Sequence, residues 1–320
     1  YDHMVDHNCV EFFTPAYTWV RSIRGGNING ITNANLQNVK RFEAHFGKID
    51  LIHAHVAYPA GAVGRNISEL LGVPYVVTEH MSPFPMASFK RSAQKYLVPP
   101  LKAAHAVLAV GDKLREELKT YGIQSRLIRN FVDLDQFKPR PFASEVPHIF
   151  TLGRLDRQKN FGVLISALST LKQKSWNLTI GGDGSELKKL KSLVKKNQLD
   201  DRINFVGAMD RDEVVHQMQH SSFFVLPSLY ESFGVVALEA MACGKPVIIT
   251  RNGGIDLLMS HEQGLIIGHT QEELTTALAE MLDTYDTYSS DRIRKFVEEG
   301  FSASAVCTKL EKIYEEITIK

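Results

Sequence analysis

The residues of this 320-residue chain best suited to chemistry are two carboxylates and two cations, set in two short stretches. The first stretch runs Val225-Leu226-Pro227-Ser228-Leu229-Tyr230-Glu231-Ser232-Phe233-Gly234-Val235 and continues through Glu239 to Gly244-Lys245-Pro246. It reads as a strand, a loop and a helix, with Ser232 as the expected N-cap. The amides of Phe233, Gly234 and Val235 then point out of the helix start, where unsatisfied N–H groups and the macrodipole together favour an anion such as a diphosphate. Glu231 lies in the loop and Glu239 inside the helix, about 9 Å further along the axis at 1.5 Å per residue. Carboxylates so placed can flank a diphosphate and accept hydrogen bonds from vicinal hydroxyls on either side of it. Spacing alone favours a plainer reading, in which Glu231 caps the loop and Glu239 is an ordinary helix residue. Against that stand Ala237, Leu238, Ala240 and Met241, because an ionised carboxylate among apolar neighbours needs a partner or a ligand.

The second stretch is Leu152-Gly153-Arg154-Leu155-Asp156-Arg157-Gln158-Lys159-Asn160-Phe161-Gly162. Arg154 offers a bidentate fork and Lys159 a compact charge, and both suit phosphate oxygens. Taken alone, the segment fits a solvated basic turn equally well.

These side chains need a frame, and short β-rich runs alternating with helical stretches supply one: a parallel sheet covered by helices. Strands are expected at 50–55, 75–78, 106–110 and 126–129, then at 148–152, 177–181, 203–206, 223–226, 247–250 and 265–267. Helices are expected over 59–71 and 112–121, and from Gln271 to the end, with breaks near Ser289 and Gly300. The run Lys138-Pro139-Arg140-Pro141 through Pro147 has the proline content of a linker. In open α/β sheets ligands sit beyond the carboxyl ends of the strands, which is where both stretches fall.

Bulk properties narrow the classes. The length suits two domains, and 44% hydrophobic with 23% charged residues describes a globular protein. A net charge of +1 argues against a dedicated nucleic-acid binder. Residues 1–145 carry 17 Lys and Arg against 13 Asp and Glu, a mild surplus that fits a solvated surface better than a lipid-binding one. Cys9, Cys243 and Cys307 are scattered without metal-ligand spacing, which fits buried free thiols in a reducing compartment. No apolar run reaches the roughly 20 residues of a membrane span, so a cytoplasmic location is expected.

The first stretch resembles the signature of the group-one retaining glycosyltransferases, whose two glutamates are separated by seven residues. The likeness includes Pro227-Ser228, Glu231-Ser232-Phe233-Gly234, Glu239-Ala240-Met241-Ala242 and Gly244-Lys245-Pro246-Val247. It implies that Glu231 contacts the donor sugar and Glu239 the ribose of a nucleotide sugar. It also implies that Arg154 and Lys159 hold the donor diphosphate. Asp201-Arg202-Ile203-Asn204-Phe205-Val206-Gly207 is similar to the family's strand whose following loop, here Gly207 to Met209, holds the base through backbone groups. Gly253-Gly254 is similar to a glycine pair near the donor, with Asp256-Leu257 in place of the usual Pro and Glu.

Outside these motifs, Gly181-Gly182-Asp183-Gly184 lacks the full dinucleotide spacing and reads as a structural turn, and the lysine run 188–196 reads as a solvated helix face. His80 ends a strand, and the resemblance implies that it contacts the transferred sugar. His53 and His55 alternate on one strand face without enough ligands for zinc, so packing or an acceptor contact is expected of them. Ile128 to Phe137 resembles the family's pre-hinge segment, with Arg129 and Phe131 in place of Pro and Gly. The family's opening strand and glycine-rich loop are not recognisable before Asp50.

The resemblance implies an α/β protein of the GT-B fold, two Rossmann-like domains facing across a cleft. An acceptor-side domain is expected over 1–145, truncated at its start, and a donor domain over 146–320, with the last helix returning to the first. It implies a hexosyltransferase using a UDP- or GDP-linked sugar as co-substrate, with no cofactor and no metal. A glycan, a lipid-linked glycan or a small molecule is the expected acceptor; the mild basic surplus of the first domain leaves peripheral membrane contact as the lesser alternative to a solvated surface. A nucleotide-sugar epimerase of the same fold and a non-catalytic nucleotide-sugar binder remain alternatives.

Overall fold

The computed structural model describes residues 2–6, 9–16, 26–85, 94–141 and 144–319. The chain divides into two compact units, residues 1–128 with 309–320, and residues 129–308.

In the first unit, β1 (Asp2–Asp6) and β2 (Cys9–Phe12) pair antiparallel with each other. There follow α1 (Gly26–Phe46), β3 (Ile52–His55), α2 (Ala62–Leu71), β4 (Tyr75–Glu79), α3 (Gln94–Ala103), β5 (Ala106–Ala109), α4 (Asp112–Thr120) and β6 (Arg126–Leu127). Strands β3-β4-β5-β6 form a parallel sheet in that order, each within two residues of its expected bounds. On one face Ala54, Tyr75, Val77, Val107 and Ala109 pack against Leu97 and Leu101 of α3 and Leu114 and Leu118 of α4. The sequence gives no signal for α1 or for the β1–β2 pair. Helix α1 contains Gly26, Gly30 and five asparagines, all poor helix formers. Packing against α2 supplies what propensity lacks, with Thr32 buried and accepting a hydrogen bond from Asn66 Nδ2. The pair β1–β2 precedes Asp50 but forms a sheet of its own and does not join the parallel sheet, so it is not the opening strand looked for there.

The second unit runs β7 (His148–Leu152), α5 (Phe161–Ser169), β8 (Asn177–Gly181), α6 (Leu187–Lys196), β9 (Ile203–Gly207), α7 (Arg211–Gln219), β10 (Phe223–Leu226), α8 (Val235–Ala242), β11 (Val247–Thr250), β12 (Gly264–Ile267), α9 (Gln271–Thr284) and α10 (Ser290–Phe301). A final helix, α11 (Ala303–Thr318), carries the chain from this unit into the first. All six strands are parallel, in the order β12-β11-β10-β7-β8-β9. Period-two alternation sends Ile149, Phe223, Val225 and Ile248 to a core under α5, α6 and α9. Phe150, Phe224, Leu226, Val247 and Ile249 go to a second core under α8 and α10. Strands buried on both faces explain the continuous apolar runs of the sequence.

The join between the units falls after Ile128, earlier than the proline-rich stretch and the expected boundary at 145. The reason is packing: Phe137 is fully buried with Phe150 and Met218, and Val132 bridges Ser302. Arg294 of α10 then ties this segment down through the carbonyls of Leu134 and Phe137. Among the described residues no helix is long and apolar enough to cross a membrane. Cys243 is buried, Cys307 is exposed against expectation, and the side chain of Cys9 lies outside the described residues.

Candidate functional site

In the second unit the strand order reverses between β7 and β10, which lie side by side. At such a switch point the loops leaving two adjacent strands diverge and open a crevice at the carboxyl edge of the sheet. The loop after β7 carries Arg154 and Lys159, and the loop after β10 carries Glu231. Three contacts zip the loops together: Leu229 N donates to Gln158 O at 2.8 Å, Gln158 Nε2 to Tyr230 O at 2.9 Å, and Lys159 Nζ to Glu231 Oε1 at 2.6 Å. Lys159 and Glu231 are only 17% and 10% exposed.

Arg154 is held differently. Its Nε lies 2.7 Å from Asp156 Oδ2 and the side chain is 72% exposed, so it stands at the rim. Asp156 also caps the short turn Arg157–Lys159 by accepting from Lys159 N. Gly153 lets the lysine lie flat, because a Cβ there would come within 3.2 Å of Lys159 Cε.

Helix α8 starts later than the sequence suggests. Ser232 does not cap it; Gly234 does, at φ 90° in the left-handed region, and helical geometry begins at Val235. Phe233 is buried instead, and its carbonyl accepts from Ile255 N at 2.7 Å. The amides of the helix start without an intrahelical acceptor are those of Gly234, Val235 and Val236, so Gly234 and Val235 keep the place expected of them and Phe233 lies one residue outside. Gly254 is required by the same contact, since its Cβ would meet Phe233 O at 2.4 Å.

Glu239 is 6% exposed and pairs through Oε1 with Arg211 Nη1 at 2.5 Å. Burial pushes its pKa above the ordinary carboxylate value, and Arg211 opposes that shift. Arg211 opens α7 a few residues after β9, so this pair also sits at the carboxyl edge. Gly207, at φ 79°, has open space where a Cβ would project, and Met209 Sδ lies over Gly181. The turn Gly181–Gly184 is structural, as expected: Gly182 N donates to Gly207 O, and a Cβ on Gly182 would fall 2.0 Å from Gly153 O.

His80 belongs to the first unit, and Lys159 and Glu231 to the second. It ends a stack of three imidazoles on β3 and β4. His80 Nε2 lies 3.0 Å from His55 Nδ1, and the rings of His55 and His53 stack at 4.6 Å. His53 Nε2 lies 2.7 Å from Thr78 Oγ1, and its Nδ1 contacts the Tyr314 hydroxyl of α11. Burial, then His55 and His80, lowers the His53 pKa to about 4; burial, then His55, lowers that of His80. Beneath the stack, the fully buried Glu79 accepts from the amides of Ala57, His80 and Met81 at 2.8, 2.9 and 2.8 Å. Next to it, Val56 holds φ 68°, an unusual conformation for a β-branched residue. Among the described residues no group of three or more His, Cys, Asp or Glu is arranged to hold a metal ion.

Sequence reasoning missed Arg211 and the role of Glu79. Arg211 sits in an ordinary capping sequence, Asp210-Arg211-Asp212-Glu213, and its partner is 28 positions away. For Glu79 there was one signal, a carboxylate ending a strand that is buried at every position.

Comparison with known proteins bears on this geometry. Residues 133–299 match the family described as Glycosyl transferases group 1, and residues 13–136 match Glycosyltransferase Family 4. An uncharacterized glycosyltransferase of Methanocaldococcus jannaschii is 29% identical over 84% of this chain and 76% of its own length. A D-inositol 3-phosphate glycosyltransferase of Pseudarthrobacter chlorophenolicus is 29% identical over 78% of this chain and 66% of its own. Among solved structures, sucrose-phosphate synthase from Thermosynechococcus elongatus superposes with a TM-score of 0.84 at 22% identity, over 99% of this chain and 86% of that one. Anabaena HepE in complex with UDP gives 0.75 at 20% identity, over 89% and 82%. The chain belongs to the group 1 glycosyltransferases and has their α/β GT-B fold, built from two Rossmann-like units.

Proposed function

We propose that the chain moves a hexose-type sugar from a UDP- or GDP-linked donor to a glycan, lipid-linked or small-molecule acceptor, with retention of configuration. The observation that carries this reading is the Lys159–Glu231 pair at the β7/β10 switch point, beside the glycine-capped start of α8. HepE, which shares the fold, has been crystallised with UDP-glucose, so a donor of this class suits such a site.

In this reading the donor diphosphate takes Lys159 from Glu231 and Arg154 from Asp156, and the amides of Val235 and Val236 meet its remaining charge. Glu231, released, accepts from a hydroxyl of the sugar. Glu239 accepts from the ribose, and backbone groups from Gly207 to Met209 hold the base. The bond between the anomeric carbon and the diphosphate oxygen breaks first, its electron pair leaving with the nucleoside diphosphate, whose charge these groups stabilise without calling on a metal ion. The acceptor oxygen then bonds to the same face of the anomeric carbon, and its proton passes to the departing phosphate. His80, neutral near pH 7 because its pKa is lowered, contacts a sugar hydroxyl. A cytoplasmic site of action with peripheral membrane contact through the first unit would suit a lipid-linked acceptor.

Calorimetry with UDP, GDP and their hexose conjugates tests the donor assignment. Arg154→Ala with Lys159→Ala should weaken nucleoside diphosphate binding by at least tenfold, and unchanged affinity would remove these residues from the site. Incubating the donor alone separates transfer from epimerisation, since conversion of the donor sugar without acceptor would identify an epimerase.

A further inference from the structure

Glu231 and Glu239, the two glutamates at the carboxyl edge, are each paired with a cation, but the pairs are built differently. Lys159 is held chiefly by Glu231, the partner it gives up in the donor reading. Arg211 is fixed on three sides: Nη1 on Glu239 Oε1 at 2.5 Å, Nε on Gln136 Oε1 at 2.9 Å, and the guanidinium 4.4 Å above the buried Phe137 ring. The Arg211 side chain is still 49% exposed, so these three unrelated groups rather than burial hold it, and the planar fork suits such a seat where a lysine does not. Arg211 also follows the Gly207–Met209 loop by two residues, so the groups assigned to the base and to the ribose are joined through it.

We propose that Arg211 is a positioning residue for donor recognition, holding Glu239 by Oε1 so that Oε2 faces the ribose hydroxyls, and keeping that carboxylate ionised. The inference rests on the donor reading of Glu239. The pair need not open when the nucleotide enters, because one carboxylate oxygen serves the arginine and the other the diol.

The surroundings leave this task to Arg211. On α7, Asp210 and Glu213 are occupied with each other's backbone in a capping box, and Asp212 is exposed. At the end of α8, burial pushes the Cys243 thiol up to about 12, so it stays neutral. Arg294 of α10 spends Nη1 on the carbonyls of Phe137 and Ala242, and its Nε pairs with Glu298. Lys245, beyond Cys243, is itself buried, with its pKa lowered by desolvation. Burial therefore drives Glu239 toward its neutral form, and Arg211 is the cation in contact with it.

Calorimetry of UDP and GDP, each against its 2′-deoxy analogue, between pH 6 and 8 tests the proposal. The wild type should prefer the ribonucleotide about tenfold, the size of a charged hydrogen bond. Arg211→Met, which still covers Phe137, should cut that preference below about threefold. It should also make affinity fall, relative to wild type, as pH drops from 8 to 6; taking the ratio cancels titration of the nucleotide's own phosphate. Arg211→Lys should restore the flat pH profile but not the full ribose preference. Thermal unfolding checks that the variants fold, and Gln136→Ala, which loosens Arg211 without removing it, should lower ribose preference by an intermediate amount. A folded Arg211→Met that keeps both the preference and the flat profile overturns the proposal while leaving the donor reading intact. A wild type that does not distinguish ribose from deoxyribose overturns the assignment of Glu239, and the inference with it.

Discussion

Lys159 and Glu231, 72 positions apart, meet at 2.6 Å because β7 and β10 are neighbours and the loops that follow them are laced together. Both side chains are largely withdrawn from water, so each is the other's main compensation for lost hydration. Such a pair is a ready exchange site: an incoming diphosphate replaces the carboxylate at the lysine, and the carboxylate becomes available to a sugar hydroxyl.

The two partners should therefore fail differently. Lys159→Ala strands a carboxylate and should cost about 1–3 kcal/mol of stability as well as weakening UDP or GDP binding. Glu231→Gln leaves the lysine free for phosphate and should lower turnover far more than nucleoside diphosphate affinity. Equal losses of affinity in the two variants would refute this division; isothermal titration and steady-state transfer rates on the same preparations provide the comparison.

Two glycines with positive φ should both lose stability on substitution by alanine, but to different degrees. Gly182, at φ 115°, faces Gly153 O, and an added Cβ would fall 2.0 Å from it, at the crossing that aligns the β7 and β8 loops. Gly182→Ala should cost about 3 kcal/mol or more, since neither backbone can yield without breaking the Gly153 N to Gly181 O bond. Gly207, at φ 79°, has open space, so Gly207→Ala should pay only the left-handed backbone cost of about 1–2 kcal/mol. Urea unfolding of both variants ranks them, and a Gly207 variant as unstable as Gly182→Ala would contradict the account.

The contrast between these glycines shows what a sequence carries and what it does not. Strands of the second unit were legible to within a residue: β10 and β11, buried throughout, read as apolar runs, while the edge strand β9 alternates buried with more exposed positions. Lys159 and Glu231 were legible as residue types in loops following strands, but their contact follows from strand order, which no local pattern contains. Ser232 looked like the cap of α8 because its hydroxyl suits that position; Gly234 takes it because the chain must turn left-handed where Phe233 O meets Ile255 N. Arg211 and α1 were hidden for a shared reason: tertiary packing, not local preference, gives each its place.

Glu79 supports two loops at once. Its carboxylate accepts from Ala57 N after β3 and from His80 N and Met81 N after β4, so removing it leaves one buried and two half-buried donors without their acceptor. Each such donor costs about 1–3 kcal/mol, so Glu79→Ala should destabilise the protein by about 3 kcal/mol or more. Glu79→Gln keeps the shape but turns an amide NH2 toward backbone N–H groups, and should recover only part of the loss. It should also disturb His80, read as lower transfer activity in the fraction that folds. A Gln variant as stable and active as wild type would show that the carboxylate charge is dispensable.

The imidazole stack makes the first unit acid-sensitive, with a definite sign. His53, with its pKa lowered to about 4, stays neutral in the folded chain where the unfolded chain, near 6.5, already binds a proton. The unfolded state therefore holds more protons between these values, and stability falls as pH drops through that window, by at most about 1.4 kcal/mol per pH unit for one proton. His80, shifted in the same direction, adds to the trend. Above pH 7 the neutral ring keeps its contacts with Thr78 and Tyr314, and His53→Asn should be less stable than wild type. As pH is lowered from 6.5 toward 4, that deficit should shrink, because the variant has no proton to take up at this position. Urea denaturation of both proteins at half-unit pH steps measures the gap directly. A gap that stays constant across the window would mean that His53 takes up its proton in the folded chain as readily as in the unfolded one.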